Sequence, residues 1–137
     1  MKLLICFVIG VITTVQYGSA CTCNPNISIQ DKNCRSNFLV LVKVLNNGNV
    51  YGMDRVYKIN LIATFRSNMQ GGVDVRHLYT ATDGSACGII LQKGYYYVLT
   101  GYYRKSGRRR QMRTGLCDFR NRFRSNPQSV YKPPRCY

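Results

Sequence analysis

The sequence predicts a mainly β domain, with five or six short strands wrapped into a small closed or partly open barrel. Three observations predict it. Residues 55–65 (RVYKINLIATF) alternate, with Tyr57, Ile59, Leu61, Ala63 and Phe65 on one face and Lys58, Asn60 and Thr64 on the other, the period of a half-buried strand. Residues 38–45 (FLVLVKVL) and 95–103 (YYYVLTGYY) are apolar or aromatic runs rich in strand-forming residues. No strong amphipathic helix stands out anywhere.

The remaining elements follow in chain order. Residues 46–52 (NNGNVYG) are turn-rich and join the first two strands. His77 to Thr82 is a further short strand candidate, and residues 87–91 form an apolar stretch. Lys105-Ser106-Gly107 can turn the chain so that residues 108–116 return as a hairpin partner of the tyrosine-rich run. Short helices fit residues 24–36 or the tail. Residues 126–134 carry three of the four prolines and are expected to wrap the surface. Neither a repeat nor a linker divides the chain.

Lys2 followed by the apolar run Leu3 to Val15 and by Gly18-Ser19-Ala20 reads as a secretory signal peptide cut after Ala20. The run is too short to cross a bilayer comfortably, and no second apolar run approaches that length, so no membrane span is expected. Lipidation of Cys21 is disfavoured because Gly18 occupies the position where a branched aliphatic residue is usual. Expected domains are therefore 1–20, signal peptide, and 21–137, a single secreted, extracellular domain.

Cleavage removes Lys2 and Cys6, leaving 117 residues, a formal charge of +14 and six cysteines: 21, 23, 34, 87, 117 and 136. An even count in a small exported chain reads as three disulfides, for which fifteen pairings are open. A zinc knuckle is a poor alternative, because Cys21-Thr22-Cys23 lacks the two-residue spacing and no second close pair exists. The chain has no Glu, no Trp, one His and five Asp. A nucleophile–base pair cannot readily be assembled from that set, which argues against an enzyme. His77 reads as a structural strand residue rather than a ligand.

Eleven of the 20 basic residues fall between Arg104 and Arg135. Arg104, Lys105, Arg108, Arg109, Arg110 and Arg113 cluster on the predicted hairpin, and Arg120, Arg122 and Arg124 alternate behind Cys117. Outside cells, the fitting polyanions are sulfated glycosaminoglycans; the competing reading is a solvated face that keeps the protein soluble. Export argues against nucleic acid as the partner.

Four features together carry a resemblance: Cys21-Thr22-Cys23-Asn24-Pro25 at the start of the processed chain, Cys34 before the strand FLVLVKV, the segment Asp83-Gly84-Ser85-Ala86-Cys87-Gly88, and the hairpin with GLCDF around Cys117. In these the chain resembles the inhibitory N-terminal, netrin-like domain of the tissue inhibitors of metalloproteinases. The resemblance spans essentially all of residues 21–137. Its most specific element is Cys-x-Cys at the very first processed positions. It implies an OB-type five-stranded closed barrel with short flanking helices and three disulfides, Cys21–Cys87, Cys23–Cys117 and Cys34–Cys136. It also implies a secreted monomeric inhibitor of zinc metalloproteinases, of matrix metalloproteinase or adamalysin type, with no cofactor of its own.

By the same resemblance, the α-amine and carbonyl of Cys21 would chelate the enzyme's catalytic zinc. Thr22 would enter the adjoining specificity pocket. Cys23, Asn24 and Pro25, with Asp83, Gly84, Ser85, Ala86 and Cys87, would line the substrate cleft. An α-amine, with a reference pKa of about 7.7–8, gives up its proton near pH 7 for about 1 kcal/mol; a lysine amine costs several times more. Asn24 and Ala86 stand where the family commonly has larger aliphatic residues. The expectation is a single-domain form, without the second six-cysteine domain of vertebrate members. Asn26-Ile27-Ser28 is a glycosylation sequon, and a glycan at Asn26 would sit five residues from the inhibitory end. The alternative reading is an extracellular heparin- or matrix-binding netrin-like module without inhibitory activity.

Overall fold

A computed structural model describes residues 21–136; the predicted signal peptide lies outside the described residues. Its regular elements are α1 (Ile29–Arg35), β1 (Phe38–Val44), β2 (Asn49–Tyr51), β3 (Asp54–Ser67), β4 (Val73–Ala81), β5 (Tyr96–Ser106), β6 (Arg109–Arg113) and β7 (Arg120–Phe123), with one 3-10 turn at Gly84–Ala86. Hydrogen-bonded neighbours run β1-β3-β4-β6-β5, and a β1–β5 pairing closes the ring. The result is a closed five-stranded barrel. Every pairing around it is antiparallel except β4–β6, which is parallel. This is the OB-type barrel that the resemblance implies. β2 extends β3 on one side and β7 pairs with β5 on the other.

β1 is the axis of the packing. Phe38, Val40, Val42 and Val44 point into the barrel with Tyr57, Ile59, Leu78, Tyr97, Leu99 and Met112. Leu39 and Leu41 point outward with Val98 into a second cluster covered by Ile62, Ala63, Phe65, Phe119, Phe123 and Tyr131. A strand buried on both faces needs a continuous apolar run, which is why FLVLVKV shows no alternation.

The single-face expectation for residues 57–65 is corrected here. Tyr57, Ile59 and Leu61 do face the barrel interior, but Ala63 and Phe65 belong to the outer cluster. The register explains the switch. Val42 pairs with Leu61 and Leu41 with Ala63, while Val40 pairs with Thr64 and Leu39 with Arg66. Ile62 and Phe65 are therefore extra residues on β3, two β-bulges that each reset the inward–outward alternation.

The apolar stretch 87–91 forms no strand. Ile89 and Leu91 are buried and plug one end of the barrel. Because the segment leaves the ladder, its amides need other partners. Side-chain hydroxyls supply them: Thr80 Oγ1 accepts from the Ile89 N–H at 3.1 Å, Tyr57 Oη from Leu91 at 3.0 Å and Tyr97 Oη from Gln92 at 2.9 Å. Gly101 marks the opposite constraint. A Cβ there would run into the Arg113 carbonyl and the Phe38 ring, so no larger residue fits where β5 passes β6.

The β5–β6 hairpin forms as expected. Ser106 pairs with Arg109, leaving Gly107-Arg108 as a two-residue turn. Gly107 has φ 63° and Arg108 is not in the positive-φ region, the pattern of a type II′ turn. The Ser28 hydroxyl caps α1 by accepting from the Asp31 N–H at 3.1 Å. The Arg66 guanidinium ties the end of that helix to β3 by donating to the carbonyls of Asn33 and Ser36. The tail wraps the outer cluster: the Tyr131 ring lies 5.3 Å from that of Phe65 and 6.3 Å from that of Phe123.

Three disulfides join Cys21 to Cys87, Cys23 to Cys117 and Cys34 to Cys136, at sequence separations of 66, 94 and 102. Chain-entropy models assign loops of this size about 4–5 kcal/mol each. A domain this small draws much of its stability from such staples.

The hydroxyl-to-amide bonds at the barrel plug give a direct test. Tyr57→Phe keeps the ring in the core but orphans the buried Leu91 N–H. It should destabilise the fold by about 1–3 kcal/mol in denaturant titration, while exposed Tyr51→Phe should cost almost nothing.

Candidate functional site

Residues 21–28 lie outside every strand. Their own backbone supplies little order: the Asn24 carbonyl accepts from Ile27 at 3.4 Å, and the Asn24 side chain accepts from the Asn26 N–H at 3.0 Å. Two disulfides hold the segment to the barrel rim, with Cα–Cα distances of 5.0 Å for Cys21–Cys87 and 5.3 Å for Cys23–Cys117. The bridges stack side by side, the Cys21 and Cys117 sulfurs 3.8 Å apart. The sulfurs of Cys21, Cys87 and Cys117 lie within 4.8 Å of one another. All three are oxidised, so none offers the thiolate a metal requires. Thr22, Asn24 and Pro25 are exposed.

The second segment is fixed from both sides. Asp83 caps the short turn, its carboxylate accepting from the Ser85 N–H at 3.0 Å. That bond, with a second from the Ser85 hydroxyl, holds the Asp83 carboxyl below the usual aspartate range. The Asp83 carbonyl accepts from Ala86 and Gly88, and the Gly84 carbonyl from Cys87, each at 3.1 Å. Cys87 sits at φ 65°, the one non-glycine residue with positive φ among the described residues. A side chain there is held against its preference, by its disulfide and by the Leu116 N–H donating to its carbonyl at 2.9 Å. Asp83, Gly84, Ser85 and Ala86 are all exposed. The structure thus brings the predicted residues together as two short exposed segments joined through Cys21–Cys87.

Beneath the ridge, Asp118 accepts from the Gly115 N–H at 2.9 Å. Burial pushes its carboxyl above the usual value of 3.8, against the opposing pull of that amide and of Lys32. On the outer side, the tip of the β2–β3 hairpin abuts the ridge. The Thr82 N–H, one residue before Asp83, donates to the Met53 carbonyl at 2.8 Å. Met53 is 84% exposed and Tyr51 65%. Sequence reasoning read this segment only as a turn; its signal was the pair of large apolar side chains flanking Gly52.

Arg104, Lys105, Arg108, Arg109 and Arg110 are exposed around the β5–β6 turn. Arg113 does not join them. Its side chain is 7% exposed and forms an ion pair with Asp54 at 2.5 Å. Its guanidinium is held against Asp54 and over the Tyr79 ring on the outer face of the sheet, so the expected cluster loses one member. That pairing also holds the Asp54 carboxyl low. Arg122 donates to the Gln92 side chain and lies over the Tyr95 ring at 5.0 Å. His77 Nδ1 is 2.8 Å from Asp74 Oδ2. Asn26 is exposed. Among the described residues no helix is long and apolar enough to cross a membrane.

A closed OB-type barrel with residues 21–25 stapled beside an exposed rim turn defines a class of small, disulfide-framed β-barrel proteins. A family model described as tissue inhibitor of metalloproteinase matches residues 19–131, and the chain belongs to that family. A search of curated proteins finds no match. Membership gives the protein the role of a metalloproteinase inhibitor, in a family of extracellular inhibitors rather than enzymes.

Two substitutions test the electrostatics of this region. Arg113→Ala removes a charged hydrogen-bonded pair but leaves Asp54 partly open to water, and should cost about 1–2 kcal/mol by chemical denaturation. For Asp118, the folded state holds the proton more tightly than the unfolded state does. Its contribution to stability therefore falls as pH rises from 3.8 through the raised folded value. Asp118→Asn, which keeps an acceptor for Gly115, should raise Tm at pH 7 and leave it unchanged at pH 3, where the wild-type carboxyl is already protonated.

Proposed function

We propose that the protein is secreted, loses residues 1–20, and inhibits zinc metalloproteinases through the amino terminus thereby created at Cys21. A catalytic zinc keeps one position open for water. The Cys21 α-amine would take it, displacing the nucleophilic water, and the carbonyl oxygen of the same residue would add a fifth ligand, closing a five-membered chelate. Thr22 enters the specificity pocket next to the zinc; its short side chain demands no deep pocket. Cys23, Asn24 and Pro25 follow along the cleft on one side, and Asp83, Gly84, Ser85 and Ala86 on the other. No scissile peptide lies over the metal, so the complex is not turned over.

The observation that carries this reading is the double staple at Cys21 and Cys23. It fixes a segment that has almost no backbone hydrogen bonds of its own, beside a rim turn that is itself capped and bridged. Ordering both segments before binding removes a cost otherwise incurred at association. The apolar tip at Tyr51 and Met53 stands next to the ridge and extends the surface available to an enzyme.

Titrating a matrix metalloproteinase catalytic domain with the processed protein should give stoichiometric inhibition. A version with one added Ala before Cys21 should lose at least about two orders of magnitude in affinity, because its amine is displaced from the carbonyl chelate. Equal inhibition by both would show that the amine is not the zinc ligand.

The five exposed cations around the β5–β6 turn support a second activity, binding of sulfated glycosaminoglycans. An Arg108→Ala, Arg109→Ala, Arg110→Ala triple variant should elute from heparin at markedly lower salt while inhibiting the proteinase as the parent does. Unchanged elution would assign those charges to solubility alone.

A further inference from the structure

The outer face of β2, β3, β4 and β6 carries a cleft of about 390 Å³, within the range of small-molecule sites, roughly 300–1,000 Å³. Cross-strand register shows how it is built. Asn49 pairs with Val56, Val56 with Tyr79, and Tyr79 with Arg113. These four side chains form one row across four strands on the face opposite Tyr57, Leu78 and Met112, which fill the barrel. Tyr51 and Asp54 form the next row outward, and Lys58 and His77 flank the first on its other side. Val56 and Tyr79 thus make an apolar floor, and amides, a carboxylate and an imidazole make the rim.

The rim groups are held in place. Asn46 Oδ1 accepts from the Gly48 N–H at 3.1 Å and the Lys58 N–H at 3.0 Å, which leaves its NH₂ group as a donor. Asp54 is held by the Arg113 guanidinium, which also lies 5.9 Å from the centre of the Tyr79 ring. The Asp74 carboxylate engages His77 Nδ1, leaving Nε2 for a ligand. The Tyr51 ring, 65% exposed, stands at the open side.

Charge narrows the ligand. The chain is strongly cationic, yet the formal charges of Asp54, Asp74, Lys58 and Arg113 around this cleft cancel, and Arg104, paired with Gln111 across β5–β6, adds a single cation at its edge. Two of only five acids lie here. A polyanion gains little from one edge cation and is drawn to the hairpin and β7 instead. An apolar ligand would leave the rim's amide and carboxylate groups without water or partner, which costs free energy. What remains is a neutral ligand with many hydroxyls and an apolar face. Amide side chains supply both donors and acceptors for hydroxyls, and OB-type barrels use this strand face for oligosaccharides in other settings.

We propose that this cleft binds a neutral oligosaccharide, with Tyr51 and Tyr79 against the sugar faces and Asn46, Asn49, Asp54 and Gln111 on the hydroxyls. The site shares Tyr51 with the hairpin tip beside the Cys21 ridge but uses no residue of the ridge itself, and it does not depend on the proposed inhibition. Its chemistry fits a neutral glycan of either a glycoprotein or a structural polysaccharide.

The test is amide chemical-shift mapping on the intact, disulfide-bonded protein. Mannotetraose represents glycoprotein glycans, chitotetraose and cellotetraose represent polysaccharides, and a heparin tetrasaccharide serves as the charged contrast. At least one neutral tetrasaccharide should shift Asn49, Tyr51, His77 and Gln111, and the sugar that does so identifies the source. Tyr51→Ala and Gln111→Ala should each weaken that binding about tenfold, with Arg109→Ala as an unaffected control. An α-amine blocked at Cys21 should leave the shifts unchanged, so a failure of inhibition and a failure of this site are read separately. The proposal is overturned if none of the neutral sugars shifts these residues at millimolar concentration, if the shifts fall elsewhere, or if only the heparin fragment moves the cleft.

Discussion

Two neighbouring disulfides hold residues 21–28 of this chain where their own backbone could not. Residues 21–28 pair with no strand and form one weak internal backbone hydrogen bond. Left free, such a segment would sample many conformations, at roughly 1–2 kcal/mol of backbone entropy per residue to order. Cys21–Cys87 and Cys23–Cys117 place that cost in folding rather than in binding. Their stacking, with sulfurs 3.8 Å apart, makes the segment and the rim turn one body. The barrel serves this arrangement: the β4 end leading to Asp83 and the β6 end leading to Cys117 are parallel neighbours, so the two anchoring cysteines emerge on the same rim.

The surface is divided by charge as much as by shape. Exposed arginines and a lysine gather at the β5–β6 turn, and others follow along β7. The few acids are each engaged: Asp54 by Arg113, Asp74 by His77, Asp83 by Ser85, Asp118 by Gly115 and Asp31 in the first turn of α1. A chain with five acids against 20 bases thus uses them to order loops, and this leaves the ridge, the basic turn and the neutral cleft chemically distinct.

Much of the barrel was legible in the sequence because strand periodicity and turn chemistry are local. The alternation at Tyr57, Ile59 and Leu61, the Gly107 turn and the apolar strand run at residues 38–45 could all be read from neighbours in the chain. The bulges at Ile62 and Phe65 could not, because an extra residue on β3 is defined only by its partner on β1. Arg113 looked like a member of a basic cluster because its partner Asp54 is 59 positions away. The plug at residues 87–91 is apolar like a strand, and only the hydroxyls of Tyr57, Thr80 and Tyr97 reveal how its amides are satisfied. The ridge residues were found through the Cys21-Thr22-Cys23 motif and its family resemblance; spacing alone left fifteen disulfide patterns open.

On the proposed mechanism, the amino terminus made at Cys21 is the group that reaches the enzyme's metal. The most direct measurement is a crystal structure of the processed protein bound to a zinc metalloproteinase catalytic domain. The Cys21 α-nitrogen is expected at about 2.0–2.1 Å from zinc, the usual Zn–N distance, with no water on the metal and Thr22 in the adjoining pocket. A complex in which zinc keeps its water, or in which the β5–β6 turn rather than the ridge fills the cleft, would contradict it.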